Sequence, residues 1–312
     1  MPSIAIITVY HFSANNLDPY ARLVRGLRSL TTQLQESDRL ILVANGTRNG
    51  AEDPDRVLKE LDSSHPERII PVVMLDNNRA AGGLNVGVAA ALRSSFDWIG
   101  QVQSSVVIGS GWLESMRLQI SSPNVHGVGG RLVYEEQLDT IYTDGHYLKE
   151  GRTLDQNYGC SLNKPEPIGN RWLFPCLSAA LFSSETVRLI CDRYGDFVTE
   201  QLPHYGDCTD VALRCAKLKH REFLHVPEAL GTKRRPSFLR GDIVCSQLLA
   251  ARRYYSNHFE KARNRVRDSQ RDSRFLEDSV RRCEKFLSVK YSPKEETAPV
   301  ATSLEDQKWG KP

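Results

Sequence analysis

Residues 39–46 read RLILVANG, an unbroken apolar run closed by an asparagine-glycine pair. A strand exposed on one face alternates apolar and polar side chains, whereas a continuous run requires burial on both faces, as in a parallel sheet covered by helices. The pattern recurs in SIAIITVY (3–10), RIIPVVMLD (68–76) and WIGQV (98–102). Segments suited to helices lie between them, over 19–34, 55–61 and 85–96. This alternation predicts an α/β fold, doubly wound about a mostly parallel sheet with helices on both faces.

Beyond residue 109 the pattern loosens. Trp112–Gln119 suits a helix and GVGGRLVY (127–134) a strand, and a Gly-, Tyr- and Asp-rich region over 143–169 suits loops over a site. A helix begins after the capping pair Ser183-Ser184, another covers DVALRCAKLK (210–219), and REFLHVPEAL (221–230) closes the series as a strand. The expected organisation is two halves of one domain, 1–110 and 111–240, then a helical extension over 241–291 and a disordered tail over 292–312.

The 312 residues carry 41 basic and 38 acidic side chains, a balance that excludes a dedicated nucleic-acid binder. Seven scattered cysteines never form CxxC, which points to reduced thiols in a cytosolic protein without a zinc framework. His11, His146 and His204 have no metal-like spacing. No apolar run is long enough to span a bilayer, and the N-terminus lacks the form of a secretion signal. The Arg- and Tyr-rich stretch over 250–285 is a candidate for peripheral contact with the anionic inner face of a membrane.

Four stretches in order carry a resemblance: LVANG (42–46), NNRAAGGLNVG (77–87), QVQSSVVIGSGWL (101–113) and HYGDCTDVALR (204–214). Together they resemble the family 2 glycosyltransferases of the GT-A fold, particularly bacterial rhamnosyltransferase-like members, over roughly residues 3–240. The resemblance implies a nucleotide-sugar-binding half followed by an acceptor-binding half. Its partners would be a nucleotide-diphosphate sugar and a glycan or lipid-linked saccharide acceptor.

Ala44 and Asn45 stand where the family's base-contacting motif lies, and Ala44 replaces its aspartate. Asn77, Gly83, Asn85 and Gly87 match the family's glycine-rich segment, with Arg79 in place of a glycine. Such glycines let backbone approach a diphosphate, and a helix starting near Asn85 would aim N–H groups at it. Gln103, Ser104 and Ser105 take the place of the metal-binding D-x-D loop, and neutral oxygens suit Mg2+ or Mn2+ poorly. No metal or other cofactor is therefore expected. Arg79 with Lys233, Arg234 and Arg235 would offset the diphosphate charge instead. Ser178, in a small-residue segment, is a candidate for contact with the donor sugar.

The family's catalytic-base motif maps onto Asp207, Cys208 and Asp210, with Cys208 at the usual base. Either the Cys208 thiol or the neighbouring Asp207 carboxylate is a candidate base for an inverting transfer. Asp207 and Asp210 also suit the first turn of a helix without any chemistry. Two functions share this scaffold: a glycosyltransferase with weak or no metal dependence, and an inactive module that binds a nucleotide sugar, a glycan or a partner enzyme. A nucleotidyltransferase would want a basic Gly-rich loop after the first strand, which TVYHFSANNLD (8–18) lacks.

Overall fold

The structure is a computed structural model that describes residues 1–12, 15, 17–61, 65–149, 152–167, 173–200, 207–218 and 222–234. Its first part alternates β1 (Ile4–Tyr10), α1 (Leu17–Thr31), β2 (Arg39–Asn45), α2 (Pro54–Leu61), β3 (Ile69–Met74), α3 (Arg79–Arg93) and β4 (Trp98–Val102). There follow β5 (Val106–Ile108), α4 (Trp112–Ile120), β6 (Val125–Tyr134), β7 (Gln137–Thr143), β8 (His146–Lys149) and β9 (Arg152–Asp155). The last described elements are β10 (Leu173–Phe174), β11 (Ala179–Ser183), α5 (Ser184–Tyr194), α6 (Asp207–Ala216) and β12 (Glu222–Lys233).

Among the described residues one nine-stranded sheet runs β3-β2-β1-β4-β11-β6-β12-β5, with β7 beside β6. Strands β1 to β4 are mutually parallel, as are β6 and β12, while β11 runs antiparallel between β4 and β6. The fold is thus the expected α/β arrangement about a mostly parallel sheet. Along β1, Ile4 and Ile6 pack with Leu23 and Leu27 of α1 on one face, and Ala5 and Ile7 pack with Leu84 and Val88 of α3 on the other. This two-sided burial is the physical reason for the continuous apolar runs.

The order β3-β2-β1-β4 means that the chain winds outward from β1 and then returns to its other side through α3. The strand order therefore reverses past the carboxyl ends of β1 and β4, the place where open α/β sheets bind ligands. Ser183 caps α5 as the sequence indicates, its hydroxyl accepting from the Thr186 N–H at 3.3 Å.

Two segments differ from expectation. Helix α3 begins at Arg79, not near Asn85, and the region over 143–169 contains a hairpin, β8 with β9, joined by β10 into a second sheet. The Gly82-Gly83 pair reads as a loop, but a Cβ on Gly83 would lie 2.5 Å from Val9 and one on Gly87 2.5 Å from Ile7. Those glycines let α3 lie close on β1. The expected helical extension over 241–291, the tail over 292–312 and the stretch 250–285 lie outside the described residues.

Candidate functional site

At the end of β2 the fully buried Ala44 belongs to the apolar core and offers no polar atom, while Asn45 ties down the loop before α3. The Asn45 amide donates to the Arg79 carbonyl at 2.7 Å and to Asn77 Oδ1 at 3.2 Å, and its Oδ1 accepts from the Asn78 N–H at 3.1 Å. Asn77 Oδ1 accepts in turn from the Arg79 N–H at 2.8 Å. Gly46 sits at φ 99°, and a Cβ there would stand 2.7 Å from that of Asn77, so the close approach of the two loops requires glycine.

Arg79 itself starts α3 at φ 63°, a left-handed conformation that disfavours side chains, and its exposed guanidinium makes no ion pair with a described residue. Asn85 lies inside the helix, where its amide donates to the Val198 carbonyl at 2.8 Å and accepts from the Val198 N–H at 3.0 Å. In this structure Asn85 therefore clamps the segment after α5.

Gln103, Ser104 and Ser105 form a turn between β4 and β5, closed by the Val106 N–H donating to the Gln103 carbonyl at 2.9 Å. Sheet register pairs Lys233, the last residue of β12, with Val106. The Lys233 ammonium consequently donates to Gln103 Oε1 at 2.7 Å and to Ser178 Oγ at 2.6 Å, and lies 5.1 Å from the Tyr142 ring centre. Ser178 donates to Gln103 Oε1 at 3.1 Å. A cation thus rests on neutral oxygens at the turn after β4. Arg234 points elsewhere, pairing with Asp18 and, at 3.5 Å, with Glu136 on the surface. Arg235 and His204 lie outside the described residues.

The candidate-base motif opens α6. Asp210 is fully buried and committed to structure: it pairs with Arg214 at 3.0 Å and accepts from the Thr199 N–H at 2.8 Å. Asp207 Oδ1 accepts from the Cys208 N–H at 2.9 Å, and burial raises its carboxyl above the ordinary value. Cys208 comes together with Cys176, which follows β10, and with His146 of β8, their ligand-capable atoms all within 4.8 Å of one another. His146 Nδ1 is 2.9 Å from Asp155 Oδ1, while its Nε2 is buried with no hydrogen-bond partner among the described residues.

The Cys208 thiol stabilises a Cys176 thiolate by hydrogen bonding, with His146 and Lys233 adding favourable charge, so Cys176 titrates well below an ordinary thiol. Cys208 titrates well above one for the same reason, with burial adding to the effect. Burial opposes a charge on His146, but Cys176 and Asp155 outweigh it and hold the imidazolium. The sequence flagged Cys208 alone. Cys176 and His146 had no spacing signal, because three separate elements bring the cluster together.

No helix among the described residues is long and apolar enough to cross a membrane. No family model and no curated protein matches the chain. Among solved structures, the chain resembles the mannosyltransferase PcManGT from Pyrobaculum calidifontis, described in complex with GDP-Man and Mn2+. Identity is 13% over 92% of this chain and 74% of that one, with a TM-score of 0.49. It also resembles S. aureus TarS 1-349, at 10% identity over 83% of this chain and 69% of that one, with a TM-score of 0.48. At such values the likenesses do not bear on chemistry, which rests on this chain's own residues.

Proposed function

We propose that this chain is a glycosyltransferase that moves a sugar from a nucleotide-diphosphate donor to a hydroxyl of a glycan or lipid-linked saccharide, with inversion and without a metal on the diphosphate. The observation that carries this reading is the Lys233 ammonium seated on Gln103 and Ser178 just past the carboxyl end of β4. The same turn offers no carboxylate to a hard dication, and Gln103 Oε1 already accepts from Lys233. Mg2+ or Mn2+ therefore does not fit these residues.

In the reaction the acceptor oxygen attacks the anomeric carbon as its proton passes to a base, and the bond to the diphosphate breaks with the electron pair going to the leaving phosphate. Lys233 and Arg79 offset the developing charge. Asp207 is the base in this reading, since its raised carboxyl value brings its proton affinity toward working pH. Asp210, locked to Arg214, holds the helix start in place.

The inactive-module reading keeps one supporting observation, the thiol of Cys208 at the position of the usual base. A thermal-shift screen of nucleoside diphosphates and their sugars, with and without Mg2+ and Mn2+, followed by donor-turnover assays, tests both. Transferase action predicts metal-free stabilisation by one nucleotide class and slow donor hydrolysis that Asp207→Asn abolishes. Binding without any turnover would favour the inactive module, and binding only with Mn2+ would overturn the role of Lys233.

A further inference from the structure

The His146, Cys176 and Cys208 cluster has more donor capacity than any role in the transfer uses. Their ligand-capable atoms lie within 4.8 Å of one another. In a tetrahedral zinc centre, bonds of about 2.3 Å to sulfur and 2.0 Å to nitrogen separate the ligand atoms by about 3.5–3.8 Å. Closing from the observed spacing needs rotamer adjustment within side chains that already converge. The second observation concerns orientation: Asp155 holds Nδ1 at 2.9 Å, which leaves Nε2 as the free ring nitrogen, and that atom is buried without a partner. A carboxylate on one nitrogen with the other left for a metal is the usual arrangement of a ligating histidine. His146 is 8% exposed and Cys176 3%, whereas Cys208 is less buried and gives the cluster an outlet.

We propose that His146 Nε2, Cys176 Sγ and Cys208 Sγ hold one zinc-class divalent cation, with the fourth position open to water. Binding the cation displaces the proton on His146 Nε2 and the proton of the Cys208 thiol to solvent. The two thiolates and neutral imidazole that result give a dication a locally neutral centre, and thiolate donors select zinc over magnesium or manganese. Its donors are distinct from the turn of Gln103 and Ser105, which offers only neutral oxygens, although Lys233 lies close enough to both to act on the Cys176 thiolate. Ligation takes Cys208 out of proton transfer and leaves Asp207 as the base. Asp155 is a positioning residue that acts through His146.

The test is the metal content of the full chain, purified under reductant, with Zn2+ and Co2+ as probes; it needs neither donor nor turnover, so an absence of transfer leaves it decidable. The expected result is one equivalent of zinc per chain and, on cobalt substitution, a thiolate-to-cobalt absorption band. That band should weaken in Cys176→Ser and in Cys208→Ser and vanish in the double variant. Cys191→Ser, on α5, should leave it intact. Asp155→Asn should lower zinc affinity about 10- to 100-fold with an unchanged circular dichroism spectrum. A chain that retains no zinc and gives no cobalt-thiolate band would overturn the proposal. So would a band unchanged in the double variant, or a Cys176–Cys208 disulfide in freshly lysed cells.

Discussion

The two ends of the parallel strands treat buried charge in opposite ways. At the amino ends, the fully buried Asp38 accepts from the Ile4 N–H at 3.1 Å, from the Gln35 N–H at 2.7 Å and from the Arg117 guanidinium. At the same edge Asp97, which is exposed, accepts from the Ser3 N–H at 2.8 Å and from its hydroxyl at 2.9 Å. At the carboxyl ends, Lys233 rests on neutral oxygens without an ion pair to any described residue, and His146 Nε2 has no partner there. The amino-edge carboxylate is saturated by N–H donors and a guanidinium, whereas the carboxyl-edge ammonium has only neutral acceptors and one imidazole nitrogen has none. A buried polar atom without a partner costs stability, and the Nε2 of His146 is one such atom.

Breaking the amino edge should have the largest effect. Arg117→Met strands a buried carboxylate and should lower unfolding stability by about 3–5 kcal/mol in urea titrations. Lys233→Met at the carboxyl edge should cost under about 1 kcal/mol of stability yet weaken nucleoside diphosphate binding about 10- to 100-fold, as loss of a charge-assisted hydrogen bond does. Similar stability losses at both edges would erase the distinction.

A smaller effect concerns Asp207. Its folded-state carboxyl holds its proton more tightly than the ordinary value of 3.8, so the unfolded chain ionises first and stability falls as pH rises past that value. Asp207→Asn should remove this decline, leaving the variant more stable than the parent at neutral pH while transfer is lost. A parallel stability profile for both proteins between pH 4 and 7 would contradict it.

The smallest effect is at Arg79. Arg79→Gly relieves a left-handed backbone at φ 63°, which costs a side chain about 1–2 kcal/mol, partly offset by the entropy that glycine adds to the unfolded chain. A net gain of up to about 1 kcal/mol in stability, together with weaker donor binding, is expected from paired thermal and calorimetric measurements.

The same contrast explains what the sequence revealed. Strands β1, β2 and β4 were legible because burial on both faces leaves continuous apolar runs, a local signal, whereas β3 carries such a run although it is an edge strand with Pro71 and Val73 exposed. The start of α3 was not legible, because Gly82 and Gly83 read as loop-forming residues while the purpose of Gly83, contact with Val9, belongs to another element. The β8–β9 hairpin was read as loops, since its short strands lack long apolar runs. Asn45, Gln103, Ser178 and Lys233 were each named from the sequence. That Lys233 reaches Gln103 and Ser178 depends on the pairing of β12 with β5, which no spacing encodes. His146 and Cys176 left no sequence signal beyond their residue types, and the nearest clue was a cysteine at the position of the usual base.

The central claim is that an ammonium takes the place of a metal at the donor diphosphate. Titration calorimetry of nucleoside diphosphates into the parent chain and into Lys233→Met, in buffer free of Mg2+ and Mn2+, tests it most directly. The account predicts metal-free binding by the parent and a loss of about 10- to 100-fold in the variant. Binding that appears only when Mn2+ is added, and is equal in the two proteins, would contradict it.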